Sequence, residues 1–570
     1  MSIIEENYQR WLASPVVDEK TKEEIRKMSE SEKSDAFFKD AEFGTAGMRG
    51  ILGPGTNRLN IFTVRKSTIA FGKYLIEKFK KEGKKRGVVI SHDNRFMSRE
   101  FTLDTAKTLN KMGINTYIFD SLRPTPELSF AVREMHAVGG VMITASHNPK
   151  EYNGYKVYDE NGCQLVPYRI ERLLEILAEL PDELSVHIDE AKVPGVNTVL
   201  TSEIDDKYVD AVLGIRLNPD LDKKGFKVVY TPQHGTSFIP AMKMFEKAGY
   251  KDNIFPVEKQ CTPDPNFSNT LSPNPEVKDA YIEPIKLAKE ISADLIVMTD
   301  PDADRVGVAF KNKNGEYELL TGNQSGGLLI DYILGQRKAK GLLSNNGVMY
   351  NTIVTSTFGT KIAKSYGVKT VSLLTGFKFI GDAIDLALKN NGPHYEFGYE
   401  ESYGCLIAPF ARDKDAQQAL LMLVEMTLFH LREGKTLDVV MDELQQKFNY
   451  YNDTQFSIFF PGSEGPSKMS KLMDDLRGNI SDIAGYKVTR VEDYEKGIAK
   501  NADGTTEKLT LPVSNVLKFF LGEDIMISIR PSGTEPKCKF YYGTNAKDKE
   551  EVKTLPSKLH KDLLKKIGLK

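Results

Sequence analysis

The chain has 570 residues, with 77 Lys and Arg against 79 Asp and Glu, and a formal net charge of −2. This balance does not favour a large basic surface for nucleic acid or a polybasic membrane patch. Hydrophobic residues make up 40% and charged residues 27%, which excludes wholesale disorder and collagen-like repeats. At about 150 residues per domain, the length predicts roughly four domains.

Cysteine usage and the chain start indicate a cytoplasmic protein. The four cysteines stand far apart and form no C-x-x-C pair, which disfavours a disulfide scaffold or a zinc ribbon. The N-terminus is acidic and polar, unlike a secretory signal. The most apolar helix candidate, residues 416–431, carries Glu425 and His430 and is too short and polar to span a bilayer.

Hydrophobic periodicity predicts alternating helices and strands through most of the chain. The first stretch, to about residue 36, is polar and predicted helical, and a glycine-rich loop at 43–50 follows it. The next elements are predicted as a helix at 69–79, a strand at 88–90, a helix at 106–112, and strands at 116–119 and 141–144. This alternation is typical of an α/β domain with a mainly parallel sheet.

The same alternation recurs twice, and then the pattern changes. The elements predicted next are strands at 227–230, 295–298, 348–354 and 368–374, and helices ending near 248 and at 358–366 and 380–389. Later, runs at 516–521 and 525–530 form a hairpin signal, and 537–542 alternates as a strand before a Lys-rich helix. We predict three tandem α/β domains with mixed, mainly parallel sheets, at 1–200, 201–320 and 321–447, and a smaller α+β domain at 448–570.

The first chemically distinctive loop, residues 144–149, directly follows a predicted strand. Ligands bind at the carboxyl ends of strands in open parallel sheets, and Ser146 would lie exposed there as a nucleophile or phosphate carrier. A plain turn of Ser, Asn and Pro explains this loop equally well. The absence of a G-x-S-x-G elbow disfavours an α/β-hydrolase.

The second loop carries three carboxylates at alternate positions, Asp300, Asp302 and Asp304. In an extended segment they would project to one side and repel one another unless a cation neutralised them. Oxygen ligands suit a hard metal such as Mg²⁺, which combines carboxylates with phosphate oxygens. An apolar strand feeds straight into this loop, so we favour a metal site over a solvated acidic turn.

Two further loops carry weaker signals. Residues 398–404 contain Glu400, Glu401 and Ser402, which could hydrogen-bond a polyol or form a solvated face, and Asp in the following 412–415 segment could cap the apolar helix. Residues 530–537 combine Arg530 with hydroxyls and a glycine, as a phosphate nest or a hairpin turn would. Together the four loops offer the partners that a sugar phosphate requires.

These four motifs, in this order, resemble the α-D-phosphohexomutase superfamily, the phosphoglucomutase and phosphomannomutase enzymes. The resemblance runs from Phe43 to about Tyr542. It implies three tandem α/β domains and a fourth α+β domain around a central cleft. One departure is Tyr399, which separates Gly398 from the Glu pair where many relatives have Gly directly before it.

The resemblance also implies a role for individual residues. Ser146 would be the phosphoserine, and the three aspartates would hold one Mg²⁺ together with a phosphoserine oxygen. Lys156 and Lys414 match active-site lysines, and Arg49 and Arg305 would stand near the transferred phosphate. Glu400 and Ser402 would bind sugar hydroxyls, and the loop of Thr375, Gly376 and Lys378 would discriminate between sugars. The phosphate that is not transferred would bind Arg530, Ser532, Gly533 and Thr534.

The implied activity is interconversion of glucose 1-phosphate and glucose 6-phosphate through glucose 1,6-bisphosphate. A general base must accept the proton of the attacking hydroxyl, and Lys156 or His147 are candidates; a lysine base needs a lowered pKa. Mannose or pentose phosphates are alternative substrates, and a metal-dependent sugar phosphatase or a non-catalytic binding protein is a less favoured class. We expect sugar phosphates as the only partners, with no nucleic acid or membrane, and a monomer or weak homodimer.

Overall fold

A computed structural model describes residues 2–44, 47–460, 464–522, 524–532 and 537–569. The chain divides into two compact units, which are described separately. The first unit consists of Met1–Leu319, Phe377–Tyr395 and Tyr403–Arg432. The second consists of Leu320–Gly376, Glu396–Ser402 and Glu433–Lys570.

The first unit begins with the helical stretch that the polar N-terminus predicts. Its helices are Ile3–Ala13, Glu19–Arg26 and Glu30–Phe37. Ser2, Asp18 and Ser29 each accept a hydrogen bond from a first-turn N–H, as N-cap residues do. Their apolar faces meet in a small core around Trp11 and Phe37.

The first sheet of this unit confirms the predicted parallel α/β pattern. In order of pairing its strands are Phe43–Gly44, Gly47–Ile51, Tyr152–Tyr158, Gly139–Ile143, Val88–His92, Thr116–Phe119 and Asn197–Leu200. The last four are parallel to one another, and Tyr152–Tyr158 is antiparallel to its neighbours. The helices around it are Ile61–Arg86, Ser98–Lys111, Thr125–Glu134 and Pro167–Glu179.

A second sheet in the same unit repeats the motif. Its strands pair in the order Tyr317–Leu319, Val306–Lys311, Leu295–Thr299, Val228–Thr231, Ile254–Pro256. The accompanying helices are Ser202–Leu213, Phe238–Lys247 and Ile282–Ile291, with short 3₁₀ turns at Lys251–Asn253, Glu258–Gln260 and Lys278–Tyr281. Strand Leu295–Thr299, every residue of which is buried, feeds directly into the loop that carries the three aspartates.

The first unit also contains later parts of the chain. These are helix Phe377–Lys389, the short strand Gly404–Leu406 and helix Ala416–Arg432. Asp415 accepts hydrogen bonds from the N–H groups of Gln417 and Gln418, which confirms that an Asp of the 412–415 segment caps the apolar helix. In the described part of the chain, no helix combines the length and apolarity needed to cross a bilayer.

The second unit contains the third α/β sheet. Strand Gly347–Thr352 lies between Lys369–Leu373, to which it is parallel, and strand His394–Glu400, whose residues from Glu396 onward belong to this unit. Helices Gly322–Ala339, Thr357–Ser365 and Leu437–Phe448 accompany them. The Thr321 side chain and Gln324 form a capping box that fixes the start of the first helix.

The C-terminal part of the second unit is an antiparallel sheet, as predicted. Its strands pair in the order Tyr450–Phe459, Lys537–Ala546, Ile525–Pro531, Leu517–Leu521, Tyr486–Asp493, Ile498–Asn501, Thr506–Lys508, with Asp482–Ile483 beside Tyr486–Asp493. Helices Gly465–Leu476 and Lys549–Lys566 complete it. The hairpin of residues 516–530 is confirmed, whereas strand Tyr450–Phe459 escaped prediction because polar and apolar residues do not alternate along it.

Candidate active site

Ser146 lies in the loop that follows strand Gly139–Ile143 and has a left-handed backbone, with φ of 52°. Its hydroxyl donates to Asp300 Oδ2 at 2.5 Å and lies 3.1 Å from His147 Nδ1. The expectation of an exposed serine was wrong: Ser146 is only 3% exposed, because Asp300 and His147 lie against its hydroxyl. Left-handed backbone at a non-glycine residue is costly and persists only where surrounding contacts enforce it.

Arg95 supplies such contacts from inside the same unit. Its side chain is fully buried, and its two terminal nitrogens donate to four main-chain carbonyl oxygens between residues 146 and 152, at 2.5–3.0 Å. Asp93, next to it, accepts a hydrogen bond from the Thr144 hydroxyl at 2.6 Å. The sequence analysis did not select Arg95, although its place after strand Val88–His92 follows the rule that identified Ser146.

The three aspartates lie close together, but not as the sequence analysis expected. Residues 300–304 form a turn rather than an extended segment, with Ala303 in the left-handed region at φ of 54°. Asp300 Oδ1 accepts from the N–H groups of Asp304 and Arg305 at 3.2 and 3.0 Å, which closes the turn. One carboxylate oxygen from each aspartate lies within 4.8 Å of the others.

The donor set fits a hard divalent cation. Asp300, Asp302 and Asp304 are at most 3% exposed. Among the described residues, no hydrogen-bond donor reaches Asp302 Oδ1 or Asp304 Oδ1, although both atoms are buried. Buried carboxylate oxygens without partners are unfavourable unless a cation binds them, and oxygen-only ligands suit Mg²⁺ or a similar ion.

Two lysines neutralise part of this acidic charge. Lys156 Nζ lies 2.9 Å from Asp302 Oδ2, and Lys414 Nζ lies 3.1 Å from Asp304 Oδ2. Burial lowers the pKa of Lys156, but Asp302 and Asp304 outweigh it, so that this pKa is raised overall. The lowered pKa that a lysine base needs is therefore not observed.

The pKa values of Asp300 and Asp304 are shifted in opposite directions. Burial, together with repulsion from Asp302 and Asp304, raises the pKa of Asp300 well above its usual range. Burial also acts to raise the pKa of Asp304, but Lys414 and Lys156 overcome it and lower that pKa. Lys156 lies on strand Tyr152–Tyr158, paired with Met142 just before the Ser146 loop, and this pairing carries its amine to the cluster.

Thr125, a second residue that the sequence analysis missed, holds Asp302 from the N-terminus of helix Thr125–Glu134. Its N–H donates to the Asp302 carbonyl at 2.9 Å, and its hydroxyl donates to Asp302 Oδ2 at 3.0 Å. The preceding Arg123 is buried and makes a two-point ion pair with Asp205, at 2.8 and 2.9 Å. No sequence signal marked this threonine, because its partner is 177 residues away.

The predicted arginines and His147 lie in the same unit. Arg49 Nη1 donates to Asn148 Oδ1 at 2.9 Å, beside the Ser146 loop, and Arg305 pairs with Glu276. Burial, and then the positive charges of Arg305 and Arg49, hold the pKa of His147 well below its usual range. His147 is therefore neutral at pH 7.

Lys378 lies in the first turn of helix Phe377–Lys389, so part of the loop expected to discriminate sugars is helical. The side chain is 7% exposed, and burial lowers the pKa of this lysine to about 8. Its carbonyl accepts a hydrogen bond from Cys163 Sγ at 3.4 Å. All four cysteines of the chain are free thiols.

The other predicted sugar-contacting residues belong to the second unit. Glu400 is 5% exposed, and its Oε1 accepts a hydrogen bond from the Gly376 N–H at 2.8 Å. Thr375 Oγ1 is buried and has no hydrogen-bond partner among the described residues. Ser402 is half-buried. The Glu pair is therefore not a solvated face, since Glu401 also accepts from two threonine hydroxyls.

The predicted phosphate loop joins two strands of the C-terminal sheet. Arg530 is the penultimate residue of strand Ile525–Pro531, and the Ser532 N–H donates to the Lys537 carbonyl at 2.8 Å. The two strands, Ile525–Pro531 and Lys537–Ala546, pair antiparallel. The predicted residues Gly533 and Thr534 lie outside the described residues.

The sequence matches family profiles over most of its length. They are described as phosphoglucomutase/phosphomannomutase, alpha/beta/alpha domains I, II and III, and match residues 40–183, 206–315 and 321–448. A phosphoglucomutase of Staphylococcus haemolyticus is 38% identical over 90% of this chain and 92% of its own. One from Staphylococcus aureus is 36% identical over 94% and 95%.

Solved structures show the same fold. The phosphoglucomutase pp63/parafusin of Paramecium aligns with a TM-score of 0.67 at 18% identity, covering 93% of this chain and 95% of its own. A phosphoglucomutase/phosphomannomutase family protein of Burkholderia thailandensis aligns with a TM-score of 0.66 at 17% identity, covering 92% and 97%. The chain belongs to the phosphoglucomutase/phosphomannomutase family of phosphohexomutases. It is therefore an enzyme of the phosphotransferase and isomerase type.

Proposed function

We propose that this chain is a phosphoglucomutase, which interconverts α-D-glucose 1-phosphate and glucose 6-phosphate through a phosphoserine at Ser146 and a glucose 1,6-bisphosphate intermediate. The observation that carries the proposal is the 2.5 Å contact between the Ser146 hydroxyl and Asp300, inside a cluster of three buried carboxylates. The relatives named above as phosphoglucomutases support the choice of sugar.

In the proposed reaction, a sugar hydroxyl attacks the phosphorus of phosphoserine 146. The bond from phosphorus to Ser146 Oγ breaks, a new bond to the sugar oxygen forms, and the hydroxyl proton passes to a base. Of the two candidates for the base, His147 and Lys156, the neutral imidazole of His147 fits better, because the pKa of Lys156 is raised. The bisphosphate then returns its other phosphoryl group to Ser146 by the reverse chemistry, so that phosphate is conserved.

Charge compensation is the main physical requirement of such a transfer. A phosphoserine carries about −1.5 to −2 charges at neutral pH. Asp300, Asp302 and Asp304 would hold Mg²⁺ with a phosphoserine oxygen, and the ion when bound would offset charge on the phosphoryl group. Arg49 and Arg305 would add positive charge, while Lys156 and Lys414 hold the aspartates in place.

The remaining predicted residues would recognise the rest of the substrate. Glu400 and Ser402 would bind sugar hydroxyls, and the segment of Thr375, Gly376 and Lys378 would discriminate between sugars. The phosphate that is not transferred would bind Arg530, Ser532, Gly533 and Thr534. We also propose a cytoplasmic monomer or weak homodimer, organised as the four domains 1–200, 201–320, 321–447 and 448–570.

Product analysis tests the proposal directly. Purified protein with Mg²⁺ and a trace of glucose 1,6-bisphosphate is offered the 1-phosphates of glucose, mannose and ribose. We expect glucose 6-phosphate to form fastest and no free phosphate to accumulate. Faster turnover of mannose or ribose phosphate would reassign the sugar, and inorganic phosphate as the sole product would show a phosphatase instead.

The Ser146→Ala variant tests the nucleophile. We expect turnover to fall by at least about 1000-fold, since alanine has no hydroxyl to carry the phosphoryl group. Ser237→Ala is the control, because it removes an equally buried hydroxyl that contacts Tyr230 and Thr299. Mass spectrometry of the intact protein should lose the phosphorylated species only in Ser146→Ala. Normal turnover by this variant would disprove the nucleophile assignment.

A further inference from the structure

Lys518 lies on strand Leu517–Leu521 of the C-terminal sheet, on the face away from the apolar core. Leu517, Phe519 and Leu521 of the same strand all point into the core beneath the sheet. Successive side chains of a strand point to opposite faces, so Lys518 and Phe520 lie on the other one. Lys518 is nonetheless only 8% exposed.

This buried amine has no charged partner. Among the described residues, no carboxylate lies within 4.0 Å of Lys518 Nζ, and no hydrogen bond to it is formed; its contact is the Phe520 ring, with the centroid 4.9 Å away. Glu492 is paired with Lys518 across the strands but is engaged elsewhere. Its Oε1 accepts from Arg490 at 2.9 Å, and its Oε2 accepts from the Tyr494 hydroxyl at 2.7 Å.

An ammonium on a largely buried side chain without an ionic partner is unfavourable, because burial removes part of its hydration without replacing it. Burial lowers the pKa of Lys518 to about 8, against the opposing effect of Glu492. An apolar side chain of similar length would fill the same space without this cost. The placement of Lys518 therefore points to an anion that binds there.

The strand register places other basic residues near Lys518. Lys518 is directly opposite Ser528, and Arg530 is two residues further along the same strand, on the same face. Arg530 in turn is paired with Lys539 of the next strand. Diagonal neighbours in a sheet lie about 7–8 Å apart, within reach of a lysine side chain. We define Lys518, Arg530 and Lys539 as the basic face.

We propose that Lys518 is a phosphate-binding residue, which supplies a cation to the phosphate monoester held at Arg530 and Ser532. This inference rests on the proposed function, because it deepens the recognition of the phosphate that is not transferred. Lys518 makes no contact with the reacting phosphoryl group in this assignment. It therefore contributes equally to the binding of both sugar phosphates, whichever phosphate is transferred.

Three variants test the proposal. Lys518→Met removes the charge and keeps the length, Lys518→Arg keeps the charge, and Lys487→Met removes an exposed lysine of the same sheet. For Lys518→Met we expect KM for both glucose phosphates to rise at least about 10-fold and kcat to change less than 3-fold. The KM of Lys518→Arg should stay within about 3-fold of the wild-type value, and the KM of Lys487→Met should equal the wild-type value.

A structural role and a binding role give different results. Since methionine removes a buried unpaired charge, the thermal midpoint of Lys518→Met should not fall, while its affinity for inorganic phosphate in calorimetry should. An unchanged KM and phosphate affinity, or a lowered midpoint that accounts for the loss, would overturn the proposal. If wild-type protein shows no mutase activity, the proposed function fails; phosphate and glucose 1-phosphate calorimetry still tests Lys518 alone.

The pH dependence of binding supplies an independent readout. The groups that share this face or border Lys518 are Arg490, Glu492, Arg530, Lys539 and Tyr541. A dianion binds the ammonium form, so KM of wild type should rise as the pH increases above about 8. Lys518→Arg should abolish this rise, because arginine stays charged. An identical rise in the arginine variant would contradict the assignment.

Discussion

Two regions of the molecule treat buried charge in opposite ways. In the aspartate loop of the first unit, residues 300–304, each carboxylate has a partner: Ser146, Lys156 or Lys414. On the basic face of the second unit, Lys518 is buried with no partner among the described residues. The first arrangement supplies partners from within the protein, whereas in our proposal the second gains its counterion from a bound phosphate. The comparison separates a site built for chemistry from one built for recognition.

The largest expected effect comes from the aspartate loop. Asp302→Asn removes one proposed metal ligand and leaves Lys156 without its 2.9 Å carboxylate partner. We therefore expect kcat to fall at least about 100-fold, and affinity for Mn²⁺, measured by electron paramagnetic resonance, to fall with it. Asp222→Asn, at an exposed site in the same unit, is the control. Unchanged Mn²⁺ affinity would show that the loop holds no metal and that the comparison is wrong.

A medium effect is expected from a half-buried aspartate of the second unit. Asp453 has a buried oxygen, Oδ1, with no hydrogen-bond partner among the described residues, and burial raises the pKa of Asp453 to about 7. The folded state then binds a proton more tightly than the unfolded chain does. The free energy of unfolding contributed by this group therefore falls as pH rises from about 4 to about 7.

Asp453→Asn should remove this pH-dependent loss of free energy of unfolding. At pH 8 we expect the variant to gain on the order of 1–3 kcal/mol in free energy of unfolding relative to wild type, with little difference at pH 4. Urea denaturation at several pH values measures it, with exposed Asp475→Asn as the control. A variant that is less stable than wild type at pH 8 would show that the second unit, too, compensates its buried charges.

The smallest expected effect concerns Thr125. Thr125→Val removes one hydroxyl that donates to the Asp302 carboxylate. A hydrogen bond to a charged group contributes at least about 1.5 kcal/mol, so Mn²⁺ affinity should fall about ten-fold. Thr125→Ser should restore it. Thr427→Val removes a hydroxyl that donates within its own helix and should leave Mn²⁺ affinity unchanged. If the two valine variants lower Mn²⁺ affinity equally, Thr125 has no specific role in positioning Asp302 and contributes only to the stability of the fold.

The sequence allowed prediction of those features that local spacing controls. Hydrophobic alternation identified the buried strands Val88–His92 and Leu295–Thr299, and the polar residues after strands identified Ser146 and the three aspartates. These predictions rest on the period of a strand and on the position of loops at its end. The family resemblance was likewise carried by contiguous motifs, and family profiles over residues 40–183, 206–315 and 321–448 confirm it.

Tertiary structure alone decided burial, pairing and charge balance. Ser146 is buried because a loop 154 residues later covers it, and Arg95 and Thr125 act on residues distant in the chain. Lys156 is cationic because Asp302 and Asp304 face it, and Lys518 lacks a partner because Glu492 binds Arg490 and Tyr494. Electrostatic interactions depend on distance in space and on the surrounding dielectric, and neither can be read from the order of residues.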